Sequence, residues 1–412
     1  MSKKLLVSIF VFFTINLSLK ANAENKKITI DELSKIVLEN NTKINLEKEK
    51  LKLLEAEYYN ASLIQNPSFM LEGSHAQLNY KLGIQNNIEL GNKRNLRILE
   101  VDNKKTILEN QIEQVKKEVL FNFKSSYYKL YNLKEKNKKF EELLKINNEL
   151  LKIAEKKEIA GDIPKLDVTQ IKLILLNLEM QKEKNNEEIE LEEIVFDNIF
   201  DNKISAKNLE LKIDNYKNCV TFGKYPFDKQ VSLLTNQGLK NRIELLELNN
   251  KNKVFETQKQ LAKENFIPNL NVYYGVDIFR DNNLKAGLFT NFGMEIPVFD
   301  LKLAPLKDIE AKVEINNYEK IAFEKNLTNE IKKAYKNYLS NLSFKINYEK
   351  NMLPVTEEIA KKSQISFSLG KTSIFSAINA QQTLVSQQLN YLNILNEYYN
   401  SIINLERLTG CI

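Results

Sequence analysis

The sequence is poor in the residues that most enzymes place at a reaction centre. It holds a single histidine, His75, among 412 residues, just before a turn, where a histidine is ordinarily solvated. The only two cysteines, Cys219 and Cys411, stand far apart and in no metal-ligand spacing. No glycine-rich phosphate loop is present, and no serine or cysteine sits in a recognisable nucleophile setting, so no catalytic constellation can be assembled. The expectation is a protein that is not an enzyme and that needs no cofactor or metal. Glycine and proline are also scarce, at 11 and 7, tryptophan is absent, and 28% of the residues are charged. That balance belongs to a mainly helical chain. The formal charge of +6 falls to about +3 without Lys3, Lys4 and Lys20 and is spread over both signs, which gives nucleic-acid binding no support.

Long apolar runs are scarce as well. The run at 5–19 follows Lys3 and Lys4 and ends in Ala21, Asn22 and Ala23, the three parts of a cleavable signal peptide. It is shorter than the roughly 18 apolar residues that a retained membrane helix requires. Residues 1–23 are therefore expected to be removed on export, leaving Glu24 first. No cysteine stands near that point to carry a lipid. Both cysteines then reach an oxidising compartment, where a pair can form a disulfide.

What the sequence does contain is written twice. A shift of 201 residues puts Leu33 on Leu234, Asn40 on Asn241, Ile44 on Leu245, Leu53 on Val254 and Pro67 on Pro268. A shift of 209 then puts Gly161 on Gly370. Each copy runs through a helical stretch ending near proline, a short region of alternation, a long helical stretch, a glycine-marked turn and a helical return. A period on this scale implies two structural repeats, here 24–202 and 230–412, joined by a connecting segment at 203–229.

Residues 92–160 contain neither glycine nor proline, and their apolar positions recur in steps of three and four, as in Leu108, Ile112, Val115 and Val119. A helix this long reaches about 100 Å, more than a globular domain of this size can surround. With the return at 165–200 it forms a long antiparallel hairpin whose tip falls at about 160–166. The second copy repeats the hairpin with a tip at about 369–374, and Pro354 should bend or locally unwind it.

The alternating regions, about 67–90 and 268–298, read as four strands. Leu270, Val272, Tyr274, Val276 and Ile278 alternate with Asn271, Tyr273, Gly275 and Asp277, and the pattern resumes from Ala286 to Ile296. Such strands fit a membrane barrel, apolar toward lipid and polar toward a lumen. On that reading Glu72, Glu89, Asp277 and Glu295 face water inside, as do Lys81 and Lys285. A membrane barrel needs about eight strands or more to leave no open edge in hydrocarbon, and one chain offers four. Two chains give an interior filled by side chains; three give twelve strands and room for a passage. A soluble protein with two decorated hairpins is the alternative, and its apolar strand faces would need another cover.

The layout resembles the TolC family of outer-membrane efflux proteins from residue 28 to residue 410. Asn66 and Pro67, and in the second copy Phe266, Ile267 and Pro268, look like the family's approach to the barrel. Glu89, Leu90, Gly91, Asn92, Lys93 and Arg94 are similar to its Gly-Gly-Lys-Arg stretch, with Asn92 in place of the second glycine. The turns at 160–168 and 369–378 resemble its periplasmic tips, and 405–410 its chain end. The resemblance implies a mainly α fold with a small transmembrane β part, a homotrimer with one twelve-stranded barrel continued by an α-helical barrel, and a place in the bacterial outer membrane. It also implies a passive conduit that docks on a periplasmic adaptor served by an inner-membrane pump.

Carried over to this chain, the docking tips are Gly161, Asp162 and Asp167 in the first copy and Gly370, Lys371 and Thr372 in the second. Read on their own, these are equally turn and cap residues. Where several family members ring the closed pore with acids, this chain has Ser376 and Asn379, a constriction without that charge. The family places Cys219 and Cys411 around the middle of the helical barrel, where a disulfide and two free thiols are both open. The competing reading is a periplasmic coiled-coil adaptor or tether, which would usually carry one hairpin rather than two with membrane-like strands.

Overall fold

The computed structural model describes residues 29–74, 79–211, 223–281, 283–296 and 303–411. The expected signal segment, His75 and Cys219 lie outside the described residues. Helices α1 (Ile30–Asn40) and α2 (Thr42–Ser62) lead into strands β1 (Ser68–Ser74) and β2 (Asn79–Ile88), then into helices α3 (Lys93–Ile159) and α4 (Lys165–Ile199). After a 3-10 turn at Ala206–Asn208 the order recurs. It runs through α5 (Phe227–Asn241), α6 (Ile243–Glu264), β3 (Leu270–Asp281), β4 (Asn283–Met294), α7 (Leu303–Asn347), α8 (Leu353–Ser368) and α9 (Ile374–Leu408). The described residues are mainly helical, with four antiparallel strands.

Local chemistry sets the breaks. Thr29 and Glu32 close a capping box at the start of α1, the Thr29 N–H donating to the Glu32 carboxylate at 3.0 Å. Asn41 is then extended, and Arg242 repeats that conformation between α5 and α6, at φ −71° and −70°. The 67 residues of α3 run without interruption. Its counterpart does not: a π-helical turn at Tyr348–Met352 separates α7 from α8, and the Leu353 N–H reaches back to the Tyr348 carbonyl. Pro354 explains the turn, because it has no N–H for the Lys350 carbonyl and its ring would press on that carbonyl in a regular helix. Widening one turn relieves both problems.

The chain forms two compact units, and each takes residues from both copies. One holds the described parts of 1–42, 116–241 and 328–412, all helical. Its core is a seam of apolar residues in steps of three and four: Phe140, Leu143, Leu150 and Ala154 of α3 against Val168, Ile171, Leu175 and Leu178 of α4, joined by Phe367, Ile374, Ala377 and Ile378 of the second hairpin. Each such side chain fully buried contributes about 1.5–3 kcal/mol, so the two hairpins hold together without help from their tips. Further along, Phe123 lies 5.6 Å from Phe200 and 6.0 Å from Phe196, and Tyr128 stacks on Tyr399 at 4.8 Å.

Buried carboxylates in this unit are partnered. Glu192 accepts from the Ser126 hydroxyl at 2.6 Å and pairs with Lys129 at 2.6 Å, and Glu193 pairs with Lys134 at 3.3 Å. The unit's last helix ends in a Schellman motif: Gly410 takes φ +67° and the Cys411 N–H donates to the Glu406 carbonyl at 2.9 Å. A side chain at 410 would meet the Asn241 carbonyl oxygen at 2.8 Å, so glycine is required there twice over. The second unit, 43–115 and 242–327, carries the sheet together with α2, α6 and the adjoining parts of α3 and α7.

Candidate functional site

The four strands form one antiparallel sheet in the order β1-β2-β3-β4, so β2 and β3 join the hairpin of one copy to the hairpin of the other. Side chains alternate across a strand, and the registers keep that alternation in step across the whole sheet. Leu71, Leu82, Val276 and Leu288 form one row, and Phe69, Ile84, Tyr274 and Thr290 the next. On the opposite face Glu72, Lys81, Asp277 and Gly287 form a row, followed by Met70, Gly83, Gly275 and Phe289. The apolar face is bare: Leu288 is 90% exposed, Phe292 70% and Phe69 69%. Asn86, a polar residue on that face, donates to the Tyr274 hydroxyl at 3.2 Å.

Such a face is far larger and more apolar than single surface leucines need explain. No helix among the described residues is long and apolar enough to cross a membrane. Among the described residues, strands β1 and β4 are the edges of the sheet, each with one row of backbone groups unpaired.

Where the strands meet the helices, the Gly-Asn-Lys-Arg stretch forms a clasp. The buried Lys93 ammonium donates to the Ile267 carbonyl and to Asn269 Oδ1, both at 2.6 Å, and the Asn92 N–H donates to Glu264 at 2.9 Å. Arg97 grips both oxygens of Glu89 at 2.7 and 2.8 Å. The hydrogen bonds from Arg97 hold the Glu89 carboxyl below its ordinary range. The first copy's helix is thus tied to the second copy's strand approach by residues that the sequence does not connect.

This alters the standing of one expected lumen residue, Glu89. Glu72 and Asp277 do share the polar face with Lys81 between them. Glu89 lies just past the end of β2 and is bound to Arg97, so it does not stand on the wall as a bare acid. Glu295 lies just beyond β4 and is exposed.

In the helical unit the hairpin tips are built alike. At the first, Gly161 has φ +81°, the Asp162 N–H donates to the Lys157 carbonyl at 2.8 Å and the Gly161 N–H to the Glu158 carbonyl at 2.9 Å. At the second, Gly370 has φ +69°, with Lys371 donating to Ser366 at 2.8 Å and Gly370 to Phe367 at 3.0 Å. Both are Schellman motifs. Asp167 donates its N–H to the Pro164 carbonyl at 3.1 Å in the first turn of α4, and Ser373 caps α9 by accepting from the Ser376 N–H at 3.3 Å. Ser376 therefore has a structural partner at hand, whereas Asn379 is exposed.

The structure brings the two tips together. Lys157 donates to the Phe367 carbonyl at 3.2 Å, with its ammonium 4.8 Å from the centre of the Phe367 ring. Around the turns Ile159, Leu166, Leu369 and Phe375 are exposed, an apolar fringe that turn chemistry does not need. An added Cβ at Gly161 or Gly370 would touch nothing within 4 Å. Of the two cysteines, Cys411 is disulfide-bonded.

The fold is that of solved outer-membrane channels. The CmeC outer-membrane channel of Campylobacter jejuni is similar over 94% of this chain and 89% of that one, with a TM-score of 0.73 at 15% sequence identity. The Neisseria gonorrhoeae MtrE outer-membrane channel, solved in its open state, matches over 92% and 88% with a TM-score of 0.71 at 12% identity. CusC, described through its folding and transmembrane channel formation, matches over 92% of both chains with a TM-score of 0.75 at 13% identity. Neither a protein-family model nor a curated protein sequence matches this chain.

Proposed function

We propose that this protein is the channel subunit of an outer-membrane export system, of the TolC type, and that it catalyses no reaction. Three copies close their sheets into one twelve-stranded barrel, the apolar faces meet lipid, and the helical hairpins continue the conduit into the periplasm. The observation that carries this reading is the bare apolar face of a four-stranded sheet with two open edges. In water such a sheet would expose both its hydrophobic side and its backbone; in a membrane it is stable only when closed by further copies. The likeness in fold to solved outer-membrane channels supports the same conclusion.

The tips at Gly161, Asp162 and Asp167 and at Gly370, Lys371 and Thr372 then dock on a periplasmic adaptor fed by an inner-membrane pump. The exposed apolar fringe around both turns supports that role. Native mass spectrometry of the protein taken from outer-membrane fractions in mild detergent is expected to give a trimer of chains without residues 1–23. A water-soluble monomer or dimer would mean that the alternating segments are not membrane strands, and a periplasmic adaptor or tether would take this reading's place.

Cys219 and Cys411 pair with each other on this reading, since Cys411 is bonded and the sequence holds one other cysteine. A bridge closing a loop of this length would stabilise the fold by about 4–5 kcal/mol at most. Alkylation of exported protein is expected to label neither cysteine before reduction and both after it; two thiols labelled at the outset would rule the bridge out.

A further inference from the structure

In the unit that carries the sheet, α2 leads into β1 and α7 follows β4, the two edge strands, whereas α3 and α6 adjoin the inner strands β2 and β3. The helices differ in what they bare. Large apolar side chains stand exposed on α2 at Leu46, Leu53 and Tyr59 and on α7 at Ile315, Tyr318 and Ile321. Among the described residues the inner helices of this unit bare one each, Leu99 on α3 and Leu246 on α6. On α7 the bare face is the one turned from α6. Ile309, Asn316 and Leu327 are buried, with Asn316 donating to the Leu248 carbonyl at 2.8 Å, and at 3.6 residues per turn Ile315, Tyr318 and Ile321 fall on the far side. On α2, Leu46 and Leu53 stand seven residues apart and so form a line along the helix, away from Leu54 and Tyr58, which line a cleft with Val101 of α3. Leu53 is 67% exposed and Tyr318 73%.

What covers these faces follows from chain direction, and rests on the channel reading above. The chain enters β1 from α2 and leaves β4 for α7. The strands of a membrane barrel are antiparallel, and every helical part must lie on one side of the membrane. Only β1 of one copy against β4 of the next meets both conditions. A joint of β1 to a second β1 would be parallel, or would set the two helical parts on opposite sides. A ring of three copies also needs a head-to-tail joint, because a joint between like faces closes at two. Strands that pair lie about 4.8 Å apart, so the helices that continue them are brought side by side.

We infer that α2 of one copy docks along α7 of the next, Leu46 and Leu53 lying against the face of Ile315, Tyr318 and Ile321. This seam continues the β1–β4 joint out of the membrane and covers apolar side chains that a single chain leaves in water. The test is cross-linking of full-length protein in outer-membrane fractions with a thiol-reactive bismaleimide. Leu53→Cys combined with Ile315→Cys or with Tyr318→Cys is expected to give a ladder that ends at three chains. Wild type, each single variant, and Leu53→Cys combined with Leu246→Cys on an inner helix are expected to give none. Cross-linked dimers from Leu53→Cys or Tyr318→Cys alone would mean that like faces meet. Trimers intact by native mass spectrometry, with no ladder from either double variant, would mean that other faces form the seam. Either result overturns the inference. A protein found only as a monomer would instead defeat the channel reading, and the seam with it.

Discussion

Replacing Gly275 with alanine or valine is expected to abolish assembly in the outer membrane. Gly275 lies opposite Gly83 at the joint between β2 and β3. A Cβ there would fall 2.5 Å from the Gly83 Cα and closer still to the Leu82 carbonyl oxygen, both of them backbone. No rotamer relieves a clash with backbone, so the strands must part, and β2–β3 is the joint that holds the two hairpins in one sheet. Overpacking typically costs about 1–3 kcal/mol where side chains can yield; here they cannot, and every copy in the barrel suffers the loss. Gly287→Ala is the control, since its nearest neighbour, a Phe279 ring carbon, is 3.8 Å from the added atom. Native electrophoresis of outer-membrane fractions should show wild-type oligomer for Gly287→Ala and little or none for Gly275→Ala. Normal oligomer from Gly275→Ala would mean that the two strands do not approach each other in this way.

The difference between these glycines marks how far the sequence could be read. Alternation along β3 and β4 is legible because the side-chain period of a strand is two and both faces are chemically distinct, so Val272, Tyr274 and Val276 separate from Asn271, Tyr273 and Asp277 without any knowledge of partners. Register is not legible, because it depends on which residue of β2 faces which residue of β3, and those lie in different copies. That Gly83 meets Gly275 is a fact about pairing alone.

The same holds at the clasp. The stretch around Lys93 stands out as a motif, yet the Ile267 carbonyl, Asn269 and Glu264 that it binds are reached only through folding. At the hairpins the sequence says more. Gly161 follows a long run free of glycine and proline, and Gly370 supplies the left-handed residue that a helix end requires after a run broken by Pro354, which announces the widened turn between α7 and α8 by the hydrogen bond it cannot make. Glu89 shows the opposite case: an acid at the end of an alternating run reads as a wall residue until Arg97, eight residues on, is found holding it.

Substitution of Gly370 separates the two roles open to the tips. In the left-handed region any side chain other than asparagine costs about 1–2 kcal/mol, and that cost is the same for alanine as for tryptophan. Around Gly370 an added Cβ meets nothing, so bulk adds no clash within the chain. The core behind the tip, with Phe367, Ile374 and Ala377 buried against α3 and α4, exceeds that strain several times over and keeps the hairpin folded. If Gly370 serves the turn alone, export should follow backbone strain: Gly370→Asn near wild type, Gly370→Ala and Gly370→Trp equally and mildly impaired. If the tip is a docking surface, Gly370→Trp should reduce export at least tenfold below Gly370→Ala at equal amounts of assembled oligomer, a loss of about 1.4 kcal/mol or more in partner binding. Equal export by the alanine and tryptophan variants would assign the tip to turn chemistry, because only a partner pressed against the exposed turn can distinguish two side chains that the chain itself cannot.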